Sequence, residues 1–329
     1  YRLLLRCKVL RYLCERGTHH FPLLFMKGIQ LIMASTKIGF IGLGIMGKQM
    51  AKNLLKAGME LVVSDLNKSA VEEVVKEGAQ EADYARIGEL CQIVILIVPN
   101  GAISKSILFD KNGVASTLKP GSIVCDMSSV TPVESKYCYE KLKEIGVGFV
   151  DAPVSGGEPG AIAGTLAIMA GGDQEDFDKM KPCFDILGSS ALRIGAAGSG
   201  SVTKLANQVI VNNTIAVVSE AFVLAVKAGA DPEKVYEAIR GGLAGSAVLD
   251  AKIPMILERN FKPGGPIRIN HKDIKNVVNT AHEIDVPIPY TAQLYEILQT
   301  LKVHGHMEDD HGGIVQYFEK LADVEVKRK

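Results

Sequence analysis

From residue 37 onward the chain alternates short apolar runs with amphipathic stretches, the pattern of βα units laid against a parallel sheet. Apolar runs predict strands at 37–41, 60–64, 92–98, 122–126, 148–151, 165–170 and 191–194. Between them, apolar positions recurring every three or four residues predict helices at 46–57, 70–77, 132–145 and 173–187. Past Gly195 the character changes. The glycine-rich Gly195-Ala-Ala-Gly-Ser-Gly200 leads into about thirty residues of helical periodicity without proline, and further helices are expected at 232–240, 246–257, 271–284, 291–304 and 313–321. The expected fold class is therefore α/β, a doubly wound domain at 37–195, followed by an all-α domain at 198–329 that begins with a long connecting helix.

Residues 1–33 stand apart from this pattern. Arg2, Arg6, Lys8, Arg11, Arg16 and Lys27 against the single acid Glu15 give a basic, apolar stretch that could pass for an organelle-targeting segment, yet it contains no serine. It reads as an extension outside the fold and dispensable to it. A cytoplasmic location is expected, with organelle targeting by 1–33 as the alternative.

Composition narrows the functions. With 37 basic and 37 acidic residues the overall charge points neither to nucleic acid nor to an anionic membrane surface. The expected partner is a small molecule. Cys7, Cys14, Cys91, Cys125, Cys138 and Cys183 form no C-x-x-C pair, which argues against a disulfide framework or a zinc knuckle. No run approaching the roughly 18 to 20 apolar residues of a membrane span stands out, so no membrane role is expected.

The first motif sits where the first predicted strand ends. Gly42-Leu43-Gly44-Ile45-Met46-Gly47 is a G-x-G-x-x-G that opens a helix: Gly42 permits the tight turn, Gly44 lets backbone approach a pyrophosphate, and Gly47 lets the helix pack on the sheet. Glycine turns of this spacing also occur without a ligand. Asp65 adds weight, because it ends the second predicted strand 18 residues beyond Gly47, where a carboxylate can accept from adenosine ribose hydroxyls. Asp65 followed by Leu66-Asn67 favours NAD over NADP as the cofactor, with Lys68 able to soften that preference. Ile97-Val98-Pro99-Asn100 and Asp126-Met127-Ser128-Ser129 carry the next two strand ends into turns, where such folds bind ligands, although each could equally be a plain β-to-α loop.

Two further segments offer chemistry. In Asp151-Ala-Pro-Val-Ser155-Gly156-Gly157 a hydroxyl and unobstructed backbone N–H groups could cradle a carboxylate, although a plain glycine-rich connection would look the same. Lys204 falls near the start of the long helix, with Asn207 and Gln208 on its face. The positive end of the helix should ease proton loss from its ammonium, which suits a general acid/base; the plainer alternative is a solvated lysine. The stretch from His304 to His311 matches no metal-ligand spacing, and no metal is expected.

Phe40-Ile-Gly-Leu-Gly-Ile-Met-Gly47, Asp151 to Gly157, Gly198-Ser-Gly200 with Lys204, and His271-Lys272-Asp273 together resemble the four hallmarks of the β-hydroxyacid dehydrogenases, in the family's order and across all of 37–329. The resemblance implies a Rossmann-type NAD(P)-binding domain, a helical domain capping the cleft, and a homodimer or homotetramer. It implies that Gly42, Leu43, Gly44, Ile45, Met46, Asp65, Val98, Pro99 and Ser129 contact the cofactor and that Lys272 reaches it from the helical domain. Ser155, Gly156 and Gly157 would hold a substrate carboxylate, and Lys204 would be catalytic. Segments 204–208, 239–246 and 259–264 look most like members that reduce tartronate semialdehyde to glycerate; other small carboxylated aldehydes remain open as substrates, as does a non-catalytic cofactor-binding scaffold. Some relatives carry asparagine four residues after the lysine, where this chain has Gln208, so either Asn207 or Gln208 could supply the substrate-facing amide.

Overall fold

The computed structural model describes residues 36–328, so the expectations for 1–33 lie outside the described residues. Among the described residues nine strands form one sheet: β1 (Lys37–Ile41), β2 (Glu60–Ser64), β3 (Gln80–Glu81), β4 (Ile93–Leu96), β5 (Ile123–Asp126), β6 (Gly148–Asp151), β7 (Val154–Ser155), β8 (Leu166–Gly172) and β9 (Gly188–Gly195). Their order is β3-β2-β1-β4-β5-β6-β8-β7, with β9 on the other edge of β8. β1 pairs in parallel with both β2 and β4, so the chain reverses its winding direction between β1 and β4. A crevice opens at such a switch point, beyond the carboxyl ends of the strands.

The wholly parallel sheet read from the sequence needs correcting, because β8 runs antiparallel to β6 and β7. The connection explains it. Only residues 156–165 separate β7 from β8, and a parallel crossover needs about a dozen or more. β6 and β7 pair with β8 in one continuous register, Asp151 with Gly171 and Val154 with Ile168, interrupted only at Ala152-Pro153. Three short helices also escaped the periodicity, Tyr84–Leu90, Gly101–Phe109 and Gly157–Ala163. The first two are marked by capping rather than by an apolar stripe: Asp83 accepts from Arg86 N at 2.8 Å and Asn100 from Ile103 N at 3.0 Å.

Alternation along each strand sends neighbours to opposite faces. Ile38, Phe40, Val63, Ile95 and Cys125 enter the core on one side of the sheet, while Val62, Val94, Leu96, Val124 and Phe149 enter that on the other. Each large side chain so buried contributes about 1.5–3 kcal/mol.

Helices make up the remainder, led by Ser199–Lys227. Phe222, Leu249, Ile253 and Val315 form one helical core, and Ile215, Ile274, Leu298 and Leu301 another. The sequence reading overlooked one property of the long helix: by length and composition it is apolar enough to cross a membrane, with a mean hydropathy of 1.9. Within this fold it is an interior helix on one face, where Lys204, Gln208, Asn212 and Ser219 are buried. On the other face Ile210, Val217 and Leu224 are exposed.

Candidate active site

The carboxyl end of β1 meets the conditions for a dinucleotide turn one by one. Gly42 has φ +100°, and a Cβ there would lie 2.1 Å from the Ile97 carbonyl oxygen. A Cβ on Gly47 would lie 1.9 Å from the Gly42 carbonyl oxygen, so only glycine lets the Ile45–Lys56 helix sit this close to the turn. A Cβ on Gly44 would meet nothing within 4 Å, which leaves open space over the helix start. Gly44 caps that helix without any side-chain hydrogen bond, so the first-turn N–H groups remain available to an anion. These residues fit a pyrophosphate.

Asp65 stands beside the turn, and its carboxylate accepts from Leu43 N and, at 2.6 Å, from Asn67 N. Those two bonds fix its orientation and leave lone pairs for ribose hydroxyls. Lys68 is paired with Glu81 at 2.6 Å, so it is drawn to an acid of its own rather than to Asp65. Further along the crevice Val98 N donates to Ser128 Oγ at 2.8 Å, and the exposed Pro99 completes the turn after β4.

The other end of the crevice is assembled from the helical side. Lys204 is 8% exposed, and its Nζ donates to the Val154 carbonyl oxygen at 2.9 Å, immediately before Ser155. It is not a solvated lysine. Its pKa is lowered as the sequence reading expected, but the leading cause is burial and not the helix end; Asp273 opposes the shift and Lys272 adds to it. Ser155 is half-buried, while Gly156 at φ +140° and Gly157 at φ +61° are exposed in backbone conformations that favour glycine. Gly156 has no side-chain cap, so its turn presents bare N–H groups.

Lys272 extends to the Ser129 carbonyl oxygen at 2.6 Å, and Gln208 Nε2 donates to Asp273 Oδ2 at 2.6 Å. Gln208 is thereby committed to the protein, whereas Asn207 Oδ1 is buried with no hydrogen-bond partner. Of the two amides, Asn207 is the one left unsatisfied.

Two acids that the sequence reading left without a role hold these pieces together. Asp273, 2% exposed, accepts from Gln208 and from Ser129 Oγ at 2.8 Å and forms an ion pair with the neighbouring Lys272 Nζ at 2.7 Å, joining the β5 loop to two helices. Asp151 accepts from Gly198 N and Ser201 N, each at 2.8 Å, at the start of the long helix. Burial pushes its carboxyl up to about 6, against the pull of those two N–H groups. Both acids lie inside motif segments of the sequence. Their roles depend on partners far along the chain, which spacing does not display.

Beyond Gln208 the buried polar contacts continue. Asn212 Nδ2 donates to the Gln208 carbonyl oxygen at 2.9 Å, Asn270 Nδ2 donates to Asn212 Oδ1, and Asn270 meets His311 Nδ1 at 3.0 Å. Burial, followed by the nearby Lys252 ammonium, lowers the His311 imidazole to about 4. His306 pairs instead with Asp309 at 2.9 Å.

Two family models match successive parts of the chain. Residues 37–198 match the NAD binding domain of 6-phosphogluconate dehydrogenase, and residues 198–318 match the NAD-binding domain of NADP-dependent 3-hydroxyisobutyrate dehydrogenase. The chain is 40% identical over 288 residues to 2-hydroxy-3-oxopropionate reductase of Escherichia coli K12, covering 87% of this chain and 98% of that one. It is 35% identical to 2-(hydroxymethyl)glutarate dehydrogenase of Eubacterium barkeri, covering 89% and 98%. The crystal structure of 3-hydroxyisobutyrate dehydrogenase from Salmonella typhimurium superposes with a TM-score of 0.79 at 27% identity, covering 85% and 99%.

Proposed function

The chain belongs to the β-hydroxyacid dehydrogenase family of nicotinamide-dependent oxidoreductases, and from that premise we propose that it reduces tartronate semialdehyde to glycerate with NADH. The observation that carries the reading is the placement of Lys204: a buried ammonium of lowered pKa, bonded to the residue that precedes the Ser155 turn. When bound, the nicotinamide supplies the hydride.

The chain's own residues do the rest. Ser155 and the N–H groups of Gly156 and Gly157 hold the substrate carboxylate, and Lys204 Nζ gives a proton to the oxygen of the reduced carbonyl. The Val154 carbonyl fixes one of the three ammonium hydrogens and so aims the others. Asp273 favours the protonated lysine that reduction requires, while burial keeps it a strong enough acid to release its proton.

Tartronate semialdehyde is favoured by the 40% identity to the Escherichia coli reductase. NADH is favoured because the Asp65 carboxylate, oriented by Leu43 and Asn67, would repel a 2′-phosphate. Initial rates with NADH and NADPH across tartronate semialdehyde, succinic semialdehyde, glyoxylate and the oxidation of 3-hydroxyisobutyrate test both choices. A clear preference for succinic semialdehyde, or a tenfold preference for NADPH, would overturn them; NADH binding with no turnover of any substrate would favour a scaffold.

The protein further works as a homo-oligomer in this reading. Ile210, Val217 and Leu224 recur every seven residues along the long helix and are 68%, 61% and 71% exposed. Such a stripe suits a helix of a second copy. Sedimentation velocity should show the intact protein as a dimer or larger and Ile210→Glu as a smaller species; a monomeric parent protein would remove the idea.

A further inference from the structure

Asp151 is a buried carboxylate, 1% exposed, and among the described residues it forms no ion pair. Each of its two oxygens accepts from a backbone N–H, one from Gly198 and the other from Ser201, and the Ser201 hydroxyl adds to their hold. Those donors are the capping residue and the third residue of the Ser199–Lys227 helix, whose capping Gly198 has φ +92° and no side chain with which to cap. The helix is therefore capped from 47 residues away in sequence. An amide in place of the carboxylate could satisfy one N–H only, because its other terminus is itself a donor.

Lys204 lies one turn beyond Ser201 on this helix. Three residues beyond Asp151, the Val154 carbonyl oxygen receives Lys204 Nζ. The same short segment thus grips the helix twice, once at its end and once at the lysine. Contact between them is close: a Cβ on Gly200 would lie 2.4 Å from the carbonyl oxygens of both Asp151 and Met169. Ser201 Oγ also meets Ser135 Oγ at 2.8 Å, which ties this helix end to a third element. A slip of the helix by one residue would swing Lys204 by about 100° and take its ammonium off the Val154 carbonyl.

We infer that Asp151 is a positioning residue for Lys204, its carboxylate locking the start of the long helix so that the ammonium stays in register with the Ser155 turn. The inference rests on Lys204 being the proton donor. It assigns Asp151 no contact with substrate or cofactor. The cofactor's phosphates and ribose are held at Gly42 to Met46 and Asp65, so disturbing the lock should leave cofactor affinity alone.

Asp151→Asn in the full-length protein tests it, by steady-state rates with tartronate semialdehyde, titration of NADH fluorescence, thermal melting, and the solvent deuterium isotope effect on kcat. We expect kcat to fall about tenfold or more, because misplacing a reacting group by about an ångström is enough to do so. NADH affinity and KM should stay within about twofold, and the isotope effect should rise as proton transfer becomes slow. A role in stability alone would lower the melting temperature and leave the isotope effect where it was, and that result would overturn the inference. A folded variant with kcat within twofold of the parent would do the same.

Should Asp151→Asn not fold, Gly200→Ala separates the helix end from β6 while keeping the carboxylate, and the same loss confined to kcat is expected; an unchanged kcat would count against the lock. Lys204→Ala is measured beside them. If it keeps its rate, the proton-donor reading itself falls and takes this inference with it; if it is inactive while folded Asp151→Asn is not, only the positioning role is lost.

Discussion

At the dinucleotide end of the crevice, three glycines, a helix start and one carboxylate all come from residues 42–65, and most of what they offer a ligand is backbone. At the proton-transfer end almost everything is side chain, and the contacts join residues far apart: 50 positions from Lys204 to Val154, 65 from Gln208 to Asp273 and 144 from Ser129 to Asp273. The contrast shows how the labour is divided. In the proposed reading, binding rests on a local turn that any βα unit with the right glycines can build, whereas catalysis rests on two halves of the molecule being docked in one arrangement.

The sharpest way to break this comparison is Lys204→Ala. It should cost about 10²- to 10⁴-fold in kcat while NADH affinity, read by fluorescence titration, is nearly unchanged. Folding should survive, since alanine is the better helix former and the buried ammonium was disfavoured by its surroundings. A variant keeping more than about a tenth of the parent kcat would exclude Lys204 as the essential acid.

Next in size is a pH effect confined to the helical side. The folded pKa of His311 is lowered from 6.5 to about 4, so its contribution to stability is fully present above pH 6.5 and is lost as pH falls toward 4. The difference amounts to about 3 kcal/mol. Asp151 has the opposite sign: its folded pKa is raised to about 6, so its contribution is present below about 3.8 and is lost as pH rises through 6. The two oppose each other over the same window. Denaturant melts from pH 7 to 4.5 should therefore show His311→Gln gaining on the parent protein as the pH falls, and a constant difference between the two would contradict the assignment.

Gly47→Ala probes the opposite end. The added methyl meets the Gly42 carbonyl oxygen, so the helix must shift, at a cost of about 1–3 kcal/mol. NADH affinity should weaken, while kcat at saturating NADH changes less than in Lys204→Ala. An equal loss of kcat would mean that the two ends are not separable.

The same division decided what could be read from the sequence. The turn from Gly42 to Gly47 and the acid at Asp65 are legible because their function depends on spacing within one βα unit. Lys204 and Lys272 are legible as motif residues, but the sequence does not reveal what faces them. It gives a reason for the lowered pKa of Lys204, the helix end, that ranks behind burial in the folded protein. The antiparallel β8 was missed because a strand's direction is set by the length of its connection and not by its apolar pattern. The roles of Asp151 and Asp273 are not legible because an acid's role depends on its partners, and apart from Lys272 beside Asp273 theirs donate from 47 to 144 residues away.

The shared register of β6 and β7 turns this part of the molecule into a ruler. Asp151 and Ser155 lie four residues apart along one extended line, about 13 Å by strand geometry, and both are paired to the same strand β8. The helix carrying Lys204 is fastened at one mark on that line and the carboxylate turn stands at the other. If Lys204 is the proton donor and the Ser155 turn the carboxylate anchor, as proposed, the distance between them is graduated by a β-ladder, a structure that neither stretches nor slides by fractions of a residue. Discrimination by substrate length would then be a property of the sheet, and resizing the pocket would require changing the strand rather than the glycine turn that closes it.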